Sequence, residues 1–372
     1  MSTVIKATDP AEFLGLVPSL AGFTPRQSLV MLPFHGKRTH GAMRIDLPGT
    51  EIEAETFADV ALQALLQVSG VDAVAFVVYT DECAVSVPDG TLLPHLAMTE
   101  ALLDVCVQTG LRLVEALCVT PDGWGDYLTD EARIESLEDI PGPPSLPGIG
   151  DVSGDQLAGA ALPPSNLVER EQVGRALQEL THVLERHEQG RAHIGAGDNP
   201  IALDVAAVIL DDLPSFAEAL LEMPSDAAPY SCAALLWCLN RPVLRDAILV
   251  QWATDLDFGY HALDAQLEFS DRGSGVPDAV GEVFLGRGSR PDIDRLGCAL
   301  EVVRFAIARA PQPAKVGALT AAGWLAWALG RSSHAGEYVD QALAIDPHHS
   351  MASLISTMLS AAMLPEWSLR RP

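Results

Sequence analysis

Three aspartates stand at or just past the ends of three apolar runs: Asp46, Asp81 and Asp122. Arg26 and Ser28 stand at the head of another such run, and Arg44 lies two residues before Asp46. Carboxylates gathered at one sheet edge can hold Mg²⁺ through oxygen ligands. An arginine beside them can hold a phosphate through its fork of N–H donors. A plainer reading stays open. Aspartate is common at strand ends because it makes turns and caps the next helix, and an Arg26–Asp46 pair could be structural. No cofactor signature accompanies these residues. Leu14-Gly15-Leu16-Val17 lacks the spacing of a phosphate-binding glycine loop.

Other constellations carry less. Ser28 has no nucleophile elbow around it, and Gly273-Ser274-Gly275 is not a GxSxG motif. His187, His193 and Asp198 do not have the spacing of a helical metal pair. The six cysteines form no CxxC pair and no zinc pattern, so they read as free thiols in a reducing compartment. Trp324 and Trp327 lie three apart on one helix face. They form either an apolar groove for a partner helix or peptide, or core packing against a neighbouring helix.

The elements that must position the first set read as follows. Asp9, Pro10 and Glu12 open a short helix with capping-box chemistry, and Pro18 ends or bends it. A dense apolar strand at 28–34 and a returning strand at 40–47 flank a polar loop at 35–39. A helix at 51–68, a β-branched strand at 71–79, a helix at 92–109 and a strand at 111–119 follow, with a further edge strand possible at 124–127. This order predicts an α/β domain over 1–138 whose mixed sheet is mostly parallel, with an antiparallel hairpin at its edge. In a parallel sheet, ligands lie outside the carboxyl ends of the strands. Arg26 and Ser28 should approach Asp46 there.

Eleven of the 27 residues at 139–165 are Pro or Gly, which predicts a linker or long surface loop. From 166 to 372 nearly everything has helical period. Ala299 and Ala306 before Pro311 recur as Ala335 and Ala342 before Pro347, and small residues at Gly323 and Gly330 would let helices approach closely. Residues 293–363 therefore resemble tetratricopeptide-like hairpins, or else an alanine-rich bundle with chance spacing.

A family resemblance rests on named residues. Asp9-Pro10-Ala11-Glu12-Phe13-Leu14, Val17-Pro18, Leu20, Gly22-Phe23-Thr24-Pro25, Ser28-Leu29-Val30 and Arg44-Ile45-Asp46-Leu47-Pro48 resemble the opening of the bacterial, mainly actinobacterial, domain-of-unknown-function family 4192. Arg241-Pro-Val-Leu-Arg245-Asp246 and the alanine-rich tail are similar to that family too. The resemblance implies a cytoplasmic bacterial protein of unassigned function and transfers no catalytic residue.

Composition narrows the partners. The chain has 372 residues, 48% hydrophobic and 20% charged, with a net charge of -27. Such acidity opposes a broad phosphate-contacting face, and hence nucleic acid, and disfavours an anionic membrane surface. The longest uncharged runs fall short of the roughly 20 residues of a membrane span. No signal peptide pattern is visible, and the expected location is cytoplasmic. Two functions remain: a protein-interaction or regulatory protein, or a Mg-dependent enzyme or sensor of a small anionic ligand at the sheet edge.

Overall fold

The computed structural model describes residues 6–39, 41–49, 51–88, 90–129, 133–144, 151–190, 198–222, 227–273 and 275–369. The chain divides into two compact units, the first running to Ala158 and the second covering Gly159–Ser368. The stretch expected to be a linker or long surface loop falls partly within the first unit, which runs to Ala158. Gly15 lies so close to Pro141 that an added Cβ would stand 2.6 Å from its carbonyl oxygen. Thr24 donates to the Val152 oxygen at 2.8 Å, and Ser19 to the Pro144 oxygen at 3.3 Å. Gly15, which lacks a Cβ, is what lets Pro141 come this close.

In the first unit, α1 (Pro10–Ala21) is capped by Asp9, which accepts from the Glu12 amide, and it runs through Pro18 without ending. Strands β1 (Ser28–His35), β2 (Arg38–Thr39) and β3 (Met43–Asp46) follow, then α2 (Ala54–Leu66) and β4 (Ala73–Tyr79). A small hairpin, β5 (Val85–Val87) and β6 (Gly90–Leu92), precedes α3 (Leu96–Thr109), β7 (Arg112–Thr120) and β8 (Gly123–Asp126). The main sheet has the order β2-β1-β4-β7-β8, with β3 also on β1.

The sheet is mixed, as expected, but it is not mostly parallel. β1 lies between β3 and β4 and is antiparallel to both, β8 is antiparallel to β7, and β4–β7 is the parallel pair. The long apolar run of β1 explains this. Residues 28–32 are buried on both faces, which suits an interior strand rather than an edge. β3, β4 and β7 nevertheless all point one way, so their carboxyl ends share one edge. Alternation then sorts the side chains. Leu29, Met31, Val74, Phe76 and Val78 meet α2 and α3, while Val30, Leu32, Ala75 and Val77 meet α1.

The second unit is helical. It comprises α4 (Leu167–Glu188), α5 (Pro200–Leu220), α6 (Pro229–Leu239), α7 (Pro242–Ala253), α8 (Leu256–Arg272), α9 (Asp278–Phe284), α10 (Ile293–Arg309), α11 (Lys315–Ala328), α12 (Ser332–Ile345) and α13 (Ser350–Ser360). Asn166 and Glu169 form a complete capping box for α4. α5 is two helical stretches that meet at Asp212, whose φ of -153 and ψ of 73 are not helical, and Pro214 stands at the start of the second stretch. In the family-like phrase, Arg241 stacks 3.4 Å over Trp237 and Pro242 opens α7. Arg245, 5% exposed, binds Asp246 at 2.9 Å. Among the described residues, no helix is long and apolar enough to cross a membrane.

One polar node ties four helices together. Arg295 of α10 makes a forked pair with Glu218 of α5 and donates to the Gln251 oxygen of α7 at 3.3 Å. Gln251 donates to Glu218 at 3.0 Å and to the Pro214 oxygen at 2.8 Å, and its side chain fills the space beside Gly259 of α8. Arg295 holds the Glu218 carboxyl below its ordinary value of 4.5. A depressed carboxylate contributes stability that is fully present above the unfolded pKa and is lost as pH falls through the folded one. Arg295→Met is therefore expected to lower Tm at neutral pH and to flatten the fall of Tm below pH 4.5. Calorimetric Tm-versus-pH curves that run parallel for both proteins would show that the pair contributes no such linkage.

Candidate functional site

The register brings the predicted residues to one edge. Ser28 at the head of β1 lies opposite Asp46 of β3 on one side and Tyr79 of β4 on the other, and Tyr79 lies opposite Val119 of β7. Asp81 and Asp122 follow within two or three residues of Tyr79 and Val119. Three hydroxyls line this level from inside, with Ser28, Thr80 and Thr120 all buried.

The pairing differs from the expectation. Arg26 reaches Asp81 at 3.6 Å, not Asp46. Asp46 pairs with Arg44, whose Nε also donates to the Ser28 hydroxyl at 2.7 Å. Arg44 and Asp46 are two apart on a strand, so they share a face. Ser28 in turn donates to the Arg26 oxygen at 2.5 Å. The Thr120 hydroxyl donates to Asp122 at 2.7 Å and holds its carboxyl below the usual range, while the Ala84 amide donates to it at 3.4 Å. The three aspartates thus have separate partners, two of them arginines and the third the Thr120 hydroxyl and Ala84 amide. Among the described residues, no three His, Cys, Asp or Glu side chains group as a metal site. His187 is described, Asp198 is held by Arg186, and His193 lies outside the described residues.

The structure adds residues that the pattern did not single out. Gln27 has φ 44 and His95 has φ 56, a left-handed backbone that non-glycine residues adopt at a cost. Gln27 joins two strand ends, accepting from the Asp81 amide at 2.8 Å through its side chain and from the Leu47 amide at 3.3 Å through its carbonyl. His95 Nε2 lies 3.1 Å from the Thr80 hydroxyl and 3.9 Å from Glu82. The available signal was positional: Gln27 separates Arg26 from Ser28, and Pro94-His95 directly precedes a helix. The β5–β6 hairpin was also unforeseen. The helix expected from 92 starts at Leu96, because Gly90–Leu92 is a strand.

Trp324 and Trp327 do not form a groove. They are 1% and 0% exposed. Their indole N–H groups donate to the Phe284 and Met363 oxygens at 3.3 and 2.8 Å. Phe284, Trp324, Trp327 and Trp367 pack as a row of mutually tilted rings with centroids 5.5, 6.4 and 6.5 Å apart. Their helix is apolar all round, so both faces are core.

The six cysteines are free; Cys106, Cys118, Cys232 and Cys238 are buried, and Cys83 is exposed. Burial pushes the Cys106, Cys118 and Cys232 thiols up to about 11 and Cys238 up to about 12, so these four stay protonated and unreactive at neutral pH.

A family profile described as Domain of unknown function (DUF4192) matches residues 10–263 and 293–366. No curated protein and no solved structure matches the chain.

Proposed function

We propose that this chain, which belongs to that family of unassigned function, is a protein-interaction or regulatory protein. One observation carries the reading. Residues 45–111 contain eleven Asp and Glu and no Lys or Arg. Within that stretch Val85, Val87 and Leu92 share one hairpin face and stand open to water. Apolar faces left open to water are what partner-binding surfaces present, and a stretch of one sign of charge favours a partner of the other.

The helical unit supports the same reading. The recurring Ala299, Ala306, Ala335 and Ala342 are all buried. A Cβ on Gly323 of α11 would stand 2.8 Å from Val339 of α12. Close hairpins with small residues at their crossings are similar to tetratricopeptide repeats, which build binding surfaces. Free cysteines with four buried thiols fit a reducing compartment such as the cytoplasm, where we place the protein.

A second reading is a Mg-dependent enzyme or sensor of a small anionic ligand. The convergence of Arg26, Ser28, Arg44, Asp46, Asp81 and Asp122 on one edge, beside two left-handed residues, favours it. A thermal-shift screen of the full chain with Mg²⁺, nucleotides and phosphorylated metabolites separates the two. No ligand is expected to raise Tm. Asp46 is 79% exposed, so Asp46→Asn should change stability by less than about 1 kcal/mol. A ligand-dependent rise in wild type that Asp46→Asn lacks would sink the interaction reading and install the second.

A further inference from the structure

We propose that the β5–β6 hairpin is the docking element, and that its occupant is an extended, lysine- or arginine-rich segment of a partner protein. This inference rests on the interaction reading and names the site and the chemistry of the partner.

The hairpin is a two-stranded sheet separate from the main one. Its register sets Val85 opposite Leu92, Ser86 opposite Thr91 and Val87 opposite Gly90. Side chains two apart on a strand, and those directly opposite, share a face. Val85, Val87 and Leu92 therefore form one apolar face, exposed by 56%, 41% and 45%. Isolated hairpins are marginal in water, and three strands with a covered face are the stable form. A partner strand laid along an outer edge would supply the third strand and set its own apolar side chains beside Val85, Val87 and Leu92, extending that face.

The base of the hairpin is fixed on both sides. On entry, the Asp81, Glu82 and Ala84 amides donate to Gln27, Thr80 and Asp122. On exit, Leu93 is 4% exposed, and the Tyr127 hydroxyl donates to the Pro94 oxygen at 2.6 Å. A fixed base presents the strands with little ordering left to do on binding.

Charge selects the occupant. Asp81 and Glu82 at the base are 58% and 67% exposed. Arg26 lies 3.6 Å from Asp81. The whole stretch from 45 to 111 offers no lysine or arginine to an acidic partner. A second copy of this chain would bring the same carboxylates against these, and like charges juxtaposed oppose association.

The test uses the full chain and two fluorescein-labelled peptides of about twelve residues, one alternating Lys and Val and the other Glu and Val, long enough to pair along the whole hairpin. Anisotropy should show binding of the Lys-Val peptide, weakened about tenfold or more between roughly 50 and 300 mM salt as screening rises. The Glu-Val peptide should not bind. Val85→Ser with Leu92→Ser should weaken binding about tenfold with Tm unchanged, since both side chains are already exposed. Glu82→Lys should weaken it without touching the apolar face.

Equal binding by wild type and the double variant would overturn the proposal, because general acidity would then suffice. No binding by wild type would overturn it as well. A wild-type dimer that the double variant dissociates, seen by light scattering, would make the occupant a second copy; the basic-partner inference then fails while the interaction reading stands. A ligand-specific rise in Tm fails the interaction reading itself.

Discussion

Trp327→Ala should destabilise the helical unit by about 3–5 kcal/mol, the usual cost of truncating a fully buried tryptophan. Trp327 is 0% exposed and lies between Trp324 and Trp367. A Cβ added at Gly286 would come within 2.9 Å of its ring, so the backbone already packs against the indole on that side. Truncation leaves a cavity that rigid neighbours cannot collapse to fill. It also strands the Met363 oxygen, which accepts the indole N–H at 2.8 Å. Trp327→Phe separates these terms, since it keeps a ring but leaves the carbonyl unpaired, and should cost less. Urea unfolding gives the answer as a shift of the midpoint at constant m. An unchanged midpoint for the alanine variant would mean that the indole is not core and would return it to the groove reading.

The signal for this placement was already in the chain. The uncharged run 316–330 has no polar face, and a helix hydrophobic all round is a buried helix. The first unit shows where such signals stop. The carboxyl edge was legible because each apolar run ends in an aspartate, and the 28–34 and 40–47 pair could only be antiparallel. The neighbour of β1 on its other side was not legible, because sheet order is set by tertiary contacts far apart in sequence. Which arginine meets which aspartate was half legible. Arg44 and Asp46 share a strand face by simple alternation, but the Arg26–Asp81 contact depends on Gln27 adopting a left-handed turn that its residue type does not announce. The hairpin escaped because Val85-Ser86-Val87 alternates over three residues, too few to establish a period.

Gly317→Ala tests the second unit at its tightest crossing. In an ordinary helix interior this exchange is favourable by roughly 0.8–1.0 kcal/mol. Gly317 has no unusual φ, so propensity alone predicts a gain. Its surroundings reverse the sign. A Cβ there would stand 2.2 Å from the Leu239 oxygen, 2.6 Å from the Leu239 carbon and 2.9 Å from the Asn240 Cα. These are backbone atoms and cannot swing aside as a side-chain end would. Asn240 pins them further, accepting from the Gly317 amide at 3.2 Å and donating to the Ala314 and Leu236 oxygens at 2.9 and 2.8 Å. The turn between α6 and α7 would have to lift off the start of α11, breaking these bonds. We expect a net loss of about 1–3 kcal/mol or more, the range for overpacked cores. Two further glycines calibrate it. Gly297 of α10 has open space where a Cβ would go, so Gly297→Ala should stabilise. Gly323 meets the Val339 side chain, which can yield, so Gly323→Ala should fall between the two. Thermal unfolding should rank the variants Gly297→Ala, wild type, Gly323→Ala, Gly317→Ala from most to least stable. A Gly317→Ala protein that melts above wild type would show that α11 does not approach the α6–α7 turn this closely.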